Sequence, residues 1–201
     1  MIAVIDYGMG NLRSVQKALE KVGSKVEVVS DAKNLGLADK AVLPGVGAFK
    51  DTMDGIESRG LKEPLCEFIR SGRAYLGICM GYEILFDESE EGGTFKGLGI
   101  FKGRVKRFSP KKDYKVPHIG WNTVKFTKRC PLFNGIKENA YFYFVHSYYV
   151  TPKDKGIVAG TTDYAVRFAS AVFRDNIYAV QFHPEKSQET GLKMLKNFVE
   201  L

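Results

Sequence analysis

The stretch RAYLGICMGYEILF, residues 73–86, decides the fold. RAYLGI (73–78) is an apolar run of strand length. Cys79 follows it between Gly77 and Gly81, and MGYEILF (80–86) is expected to open a helix. A strand that turns directly into a helix is the repeating unit of a parallel sheet covered by helices. The residues before it supply more such units. IAVID (2–6) reads as a short buried strand ending at Gly8. NLRSVQKALEKVG (11–23) puts Leu12, Val15, Ala18, Leu19 and Val22 on one helical face, and Gly23 stops the helix. SKVEVVS (24–30) and KAVLPG (40–45) are further strands, the second broken by Pro44, and PLCEFIRSG (64–72) ends another helix.

Beyond Phe86 the pattern changes. FKGRVKRF (101–108), WNTVKF (121–126), YFYFVHSYYV (141–150), IVAGTT (157–162), FASAVFRD (168–175) and IYAVQF (177–182) read as strands separated by turn signals. They suggest antiparallel additions to the parallel sheet, or a second sheet beside it. GLKMLKNFVEL (191–201) is a closing amphipathic helix. The expected sum is one α/β domain over 1–201. It has a central, mostly parallel sheet with helices on both faces, plus antiparallel additions.

The totals exclude several classes. The 201 residues are 44% hydrophobic and 26% charged, ordinary for a globular chain with a sizeable core. No apolar run reaches the length of a membrane span. The opening MIAVIDYGMG lacks a basic leader and reads as a first strand, not a signal peptide. Cys66, Cys79 and Cys130 are too few and too scattered for a disulfide framework or a metal site, which fits a cytoplasmic chain without cofactor. The net charge of +7 is read as a solvated surface rather than a nucleic-acid partner. Its densest stretch, KGRVKRFSPKKDYK (102–115), alternates like a strand and turns at Pro110; it would equally suit an acidic protein partner.

Gly77 and Gly81 flank Cys79 as they would a serine in the G-x-S-x-G nucleophile elbow. Strand and helix backbones approach closely at such a turn, so its neighbours must lack side chains. The turn lifts the central residue above the carboxyl edge of the sheet, where α/β proteins place ligands. The start of the following helix then favours a thiolate. A buried structural cysteine is the plainer reading, and Cys66 and Cys130 are given it. A thiol nucleophile needs a base, and the base needs an orienting group. His183 ends IYAVQF and Glu185 is two residues on. On an extended chain both point to one side, with Pro184 stiffening the spacing. His118 and His146 lack an acid nearby in sequence and are read as structural or interface residues. The Met80 N–H is the natural first donor to an oxyanion, and LPGVGAF (43–49), with Gly45 and Gly47, is the best candidate for a second donor.

GICMG with a distant FHPE resembles the class I glutamine amidotransferases. Within them, IDYGMGNLRSVQKAL (5–19), LPGVGAF (43–49), LFDESEE (85–91), VPHIGWN (116–122), YFVHSYY (143–149) and QFHPEKS (181–187) resemble the glutaminase subunits that serve imidazole glycerol phosphate synthases. The resemblance covers essentially the whole chain. It implies a flavodoxin-like fold and hydrolysis of glutamine to glutamate and ammonia, with no cofactor. It also implies a (β/α)₈-barrel cyclase partner that takes the ammonia to make imidazole glycerol phosphate and an aminoimidazole carboxamide ribotide. Carried over, Cys79 is the nucleophile, His183 the general base and acid, and Glu185 the orienter. Val46, Gly47 and Met80 form the oxyanion hole and glutamine-contact wall. Asn11, Trp121, Asn122, Tyr143 and Lys186 match segments facing the partner and the ammonia exit. In Tyr141-Phe142-Tyr143-Phe144, alternation leaves one face free for that partner.

The chain departs from the family at one point. The family reads G-x-C-x-G-M-Q, whereas Tyr82 and Glu83 stand here. Four residues along a helix return to one face, so Glu83 is expected to look into the site. It can bind the substrate's ammonium, oppose the thiolate, or carry a proton and stand in for glutamine. The expectation is that Glu83 is tolerated and that the enzyme is active in its complex. Three other readings compete. A different synthase partner (pyridoxal phosphate, anthranilate or aminodeoxychorismate synthesis) is opposed by PHIGWN and YFVHSYY. A catalytically silent binding subunit is opposed by the intact Cys79, His183 and Glu185. A peptide-cleaving cysteine hydrolase is opposed by the rest of the chain.

Overall fold

The computed structural model describes residues 1–109 and 114–201. The first half alternates as β1 (Ile2–Ile5), α1 (Leu12–Lys21), β2 (Val26–Val29), α2 (Ala32–Gly36), β3 (Lys40–Gly45), α3 (Phe49–Ser58), α4 (Lys62–Arg70) and β4 (Ala74–Cys79). Then follow α5 (Met80–Glu83), β5 (Phe86–Ser89), β6 (Phe95–Lys96), β7 (Phe101–Arg107), β8 (His118–Phe126), β9 (Ala140–His146) and β10 (Tyr148–Pro152). The chain closes with β11 (Val158–Tyr164), β12 (Val166–Arg174), β13 (Ile177–Val180) and α6 (Gln188–Val199).

Five strands in the order β2-β1-β3-β4-β13 pair in parallel. Period-two alternation sends their side chains to two separate cores. Ala3, Ile5, Ala41, Leu43 and Tyr75 pack with Phe49, Ile56 and Phe68 of α3 and α4. Ile2, Val4, Val42, Leu76 and Ile78 pack with Val15, Leu19, Leu195 and Phe198 of α1 and α6 on the other face. Gly23, at φ +95, ends the α1 segment where the sequence placed its stop. Both faces of the sheet are therefore covered, and its carboxyl edge is left for chemistry.

Beyond β13 the sheet continues antiparallel through β12, β10 and β7. A branch through β11, β8 and β9 folds back beside it. β7 alternates buried and exposed residues, as its basic pattern suggested. The turn expected at Pro110 lies outside the described residues. Among the described residues no helix is long and apolar enough to cross a membrane.

Two local expectations change. MGYEILF does not build a long helix: α5 is four residues, and the chain runs straight into β5. Ile84, Leu85 and Phe86 are all fully buried, and a segment buried on every side carries no periodicity to separate strand from helix. Sheet pairing decides it, with the Ile84 carbonyl accepting from Leu98 N–H at 2.7 Å and Phe86 lying opposite Phe101. YFYFVHSYYV is two strands, not one. It breaks at Ser147, where β9 leaves β8 and β10 joins β7 and β12.

Candidate active site

β4 delivers Cys79 to the carboxyl edge with a backbone that few residues adopt, φ +54 and ψ −102. A non-glycine residue held there stores roughly 1–3 kcal/mol of strain. The neighbours over-determine it. A Cβ on Gly77 would run into the Gly81 carbonyl oxygen, one on Gly81 into the Leu43 carbonyl oxygen, and one on Gly45 into Met80 Cβ. The buried Tyr75 hydroxyl donates to the Gly81 carbonyl at 2.9 Å and pins the turn from below. Gly45 is registered directly opposite Cys79. The loop carrying Val46 and Gly47 (φ +96) therefore leaves β3 beside the sulfur. With α5 reduced to one turn, little macrodipole reaches that sulfur, so a neighbouring cation matters more than the helix.

That neighbour is His183, which follows β13, the strand adjacent to β4. Its N–H donates to the Tyr143 carbonyl at 2.9 Å, and its carbonyl accepts from Ser187 Oγ at 2.6 Å. Ser187 Oγ in turn accepts from Tyr143 N–H at 3.0 Å. His183 Nδ1 bonds Glu185 Oε1 at 2.9 Å, with the two side chains 2% and 1% exposed. The pair meets for a reason other than the one read from sequence. Pro184–Lys186 is a single 3₁₀ turn, and this turn, not an extended chain, swings Glu185 back under the ring. Burial pulls the His183 imidazole down, but the charges of Cys79 and Glu185 outweigh it and raise it to about 10. Nε2, the ring nitrogen not bonded to Glu185, is buried without a hydrogen-bond partner among the described residues, and His183 shares its cavity with Cys79.

A cavity of about 390 Å³ is lined by Val46, Gly47, Cys79, Met80, Glu83 and His183 together. Glu91, Pro117, Val145, His146, Ser147, Tyr148 and Lys186 complete its wall. Glu91 went unnamed in the sequence reading although LFDESEE contains it. It accepts from the Phe49 N–H that opens α3, at 2.7 Å, and burial raises it above the usual carboxylate range. Gln181 was also missed. It precedes His183 by two residues, is fully buried, and donates to Glu83 Oε1 at 2.7 Å. Among the described residues no group of three or more His, Cys, Asp and Glu is placed to hold a metal ion.

Trp121, Tyr143 and Lys186 come together at the surface. Trp121 lies opposite Tyr143 in the β8–β9 ladder with ring centroids 6.0 Å apart, and Lys186 Nζ sits 5.9 Å from the Tyr143 ring. Phe142 and Phe144 point inward and are fully buried, while Ile119, Trp121 and Tyr141 stay 59%, 46% and 59% exposed. Asn122, next to Trp121 on the strand, turns inward: its amide donates to the Asp163 carbonyl at 3.1 Å and approaches His118 Nε2 at 3.4 Å. Asn11 begins α1 without capping it through its side chain.

His118 and His146 form a buried pair, Nδ1 to Nε2 at 2.9 Å. His146 Nδ1 contacts the Tyr148 carbonyl at 2.6 Å, and a carbonyl only accepts, so this nitrogen carries the hydrogen. Nε2 of His146 then accepts from His118 Nδ1, and His118 Nε2 is left to accept from Asn122. Burial lowers His118 to about 4 and His146 to about 3, so both rings are neutral structural links between β8 and the cavity wall.

The chain matches the glutamine amidotransferase class-I family over residues 3–201. It is 52% identical to the imidazole glycerol phosphate synthase subunit HisH of Syntrophotalea carbinolica, with all of both chains covered. It is 51% identical to the protein of the same name from Methanocaldococcus jannaschii, again covering all of both. Among solved structures, that of PurLQS from Thermotoga maritima superposes with a TM-score of 0.80 at 19% identity, covering 99% of this chain and 97% of the other. At that identity the likeness speaks for the fold.

Proposed function

The chain belongs to the class I glutamine amidotransferases, and from that premise we propose that it is the glutaminase subunit of an imidazole glycerol phosphate synthase, acting as one domain over 1–201. One observation carries the chemistry. A histidine oriented by a buried glutamate turns its free nitrogen toward a cysteine held at positive φ on the floor of a common cavity.

In this reading Cys79 Sγ, having lost its proton to His183 Nε2, attacks the side-chain carboxamide carbon of glutamine. The C–N bond breaks as His183 returns the proton to the nitrogen, and ammonia leaves a thioester on Cys79. Water, activated by the same imidazole, then attacks the thioester and releases glutamate and the thiol. Glu185 holds the imidazole in orientation through both steps. Met80, Val46 and Gly47 line the cavity, and in this reading their backbone supplies the donors an oxyanion needs. Glu91 lines the same cavity and is a candidate for the amino-acid end of the substrate, while Glu83 is held by Gln181 behind the sulfur.

The partner in this reading is a (β/α)₈-barrel cyclase that uses the ammonia in histidine biosynthesis. The exposed Ile119, Trp121 and Tyr141, with Tyr143 and Lys186 beside them, offer an aromatic and cationic docking face. In the proposal Asn11 belongs to this interface by resemblance, and Asn122, turned inward, supports the strand that carries Trp121. The test is glutamine turnover by the chain mixed with a cyclase subunit and its nucleotide ligand, followed by labelling with a glutamine-like diazoketone. Ammonia release that depends on both subunits, with the label on Cys79, is expected. A complex that forms but leaves Cys79 unlabelled and glutamine intact would make the chain a silent binding subunit.

A further inference from the structure

Glu83 and Gln181 pack against each other behind the nucleophile, brought together from α5 and the end of β13. Gln181 Nε2 donates to Glu83 Oε1 at 2.7 Å and lies 3.9 Å from Cys79 Sγ. The other two oxygens of the pair, Glu83 Oε2 and Gln181 Oε1, are both buried, and among the described residues neither has a donor. An amide oxygen and a carboxylate oxygen only accept, so an ionised pair leaves acceptors orphaned whichever way the amide is turned. An ionised carboxylate buried on one hydrogen bond also carries a heavy desolvation cost. A single proton removes both difficulties: it makes Oε2 a donor, and Gln181 Oε1 is the acceptor that lacks one.

We propose that Glu83 is a neutral carboxylic acid in the resting protein, its Oε2 proton directed to Gln181 Oε1, and that this acid–amide pair forms an uncharged floor against which Cys79 ionises. The surroundings agree. Burial pushes Glu83 up to about 8, the Gln181 bond pulls it back, and Glu91 pushes it further up. The groups beside it or facing the same cavity are Glu91 after β5, Tyr82 on α5, Tyr148 on β10, Cys79 on β4, the neutral His146 on β9, and His183 and Lys186 after β13. The Tyr82 hydroxyl is already spent on the Ala169 carbonyl at 3.1 Å. His183 is committed to Cys79 and Glu185, Lys186 lies by the Tyr143 ring, and among the described residues no basic side chain pairs with Glu83.

The consequence for catalysis rests on the glutaminase reading; the protonation state does not. Once ionised, Glu83 sets a negative charge one amide away from the sulfur and disfavours the thiolate. Glu83 is thus a positioning residue that keeps the site open at neutral pH and closes it as the solution turns alkaline.

The test titrates the whole chain by infrared difference spectroscopy from about pH 6 to about pH 10, wild type against Glu83→Gln. A protonated-carboxyl band at neutral pH is expected, lost with a midpoint near 8 and absent from the variant. No such band at neutral pH, or one that survives Glu83→Gln, overturns the proposal. The wild-type titration with isotopically labelled glutamate stands even if the variant misfolds. Iodoacetamide alkylation of Cys79 supplies the coupling. Rates should match at about pH 6, and at about pH 9 the wild type should be about three- to tenfold slower than Glu83→Gln. Equal rates throughout would refute the coupling. Neither readout needs glutamine turnover. Lack of glutaminase activity with both results intact would sink the functional reading and leave the acid–amide pair standing.

Discussion

Cys79 and His183 sit at the ends of neighbouring parallel strands, β4 and β13, yet the chain holds them by different means. Cys79 is fixed by exclusion. Its positive φ sits in a turn packed so closely that a Cβ on Gly45, Gly77 or Gly81 would collide with its neighbours. His183 has ordinary extended dihedrals, φ −104 and ψ 96, and is fixed by hydrogen bonds to Tyr143, Ser187 and Glu185. A site held by exclusion should fail when an atom is added. A site held by bonds should fail when a donor or acceptor is removed, with a loss that scales with the bond. The first is a matter of packing, the second of polar satisfaction.

Removing the reactive atoms themselves sets the scale. Cys79→Ala should lower glutamine turnover in the assembled complex by at least about a thousandfold, since the background left by binding and oxyanion contacts is small. Circular dichroism and partner binding should be unchanged, because the variant leaves the elbow's glycines in place. Turnover within tenfold of wild type would break the assignment of the nucleophile.

Glu185→Gln probes the bonded region next. The amide keeps the shape but loses the charge that holds the imidazolium, and a roughly 100- to 1,000-fold fall in kcat is expected. The pH dependence supplies the sign. His183 is raised from its ordinary 6.5 to about 10, so its contribution to stability is fully present below 6.5 and fades as pH rises through about 10. In Glu185→Gln that fade should move to lower pH. Urea titrations at a series of pH values would show it, and an unshifted profile would mean that Glu185 does not act on His183 electrostatically.

These two regions were also unequally legible. A steric demand writes itself into the chain as glycines at fixed offsets, so Gly77-Ile78-Cys79-Met80-Gly81 announced the elbow without help from structure. His183 and Glu185 were legible because only Pro184 separates them, although the 3₁₀ turn that joins them was not. Gln181 and Glu83 are 98 residues apart, and Tyr143 reaches Ser187 across 44. Nothing local marks such contacts, because they exist only after β13 docks beside β4 and β9 reaches the turn that follows β13. The same limit hid the break at Ser147. Ten residues of aromatic and β-branched character fit one long strand as well as two, and only pairing to β8 on one side and β7 and β12 on the other divides them.

Gly81→Ala sharpens the contrast from the packing side. Its Cβ would collide with the Leu43 carbonyl oxygen, which belongs to the central parallel strand β3 and cannot retreat cheaply. A loss of about 3 kcal/mol is expected, at the upper end for overpacking, together with activity that falls because Cys79 is displaced. Denaturant unfolding and diazoketone labelling would report the two effects. A stable, fully labelled Gly81→Ala protein would show that the elbow tolerates added volume.

Ser187→Ala makes the smallest change and the most discriminating one. The hydroxyl accepts from Tyr143 N–H and donates to the His183 carbonyl; removing it leaves the part-buried Tyr143 N–H short of a partner, while the His183 carbonyl keeps the Lys186 N–H at 3.1 Å. That should cost about 1–3 kcal/mol of stability. The side chain touches neither His183 Nδ1 nor Glu185, so the imidazole keeps its charged partner, and turnover should fall by no more than about tenfold. If the bonded region were one rigid unit, Ser187→Ala would cost as much activity as Glu185→Gln. A large stability loss beside a small kinetic loss would instead separate the bonds that place the His183 backbone from the bond that charges its ring.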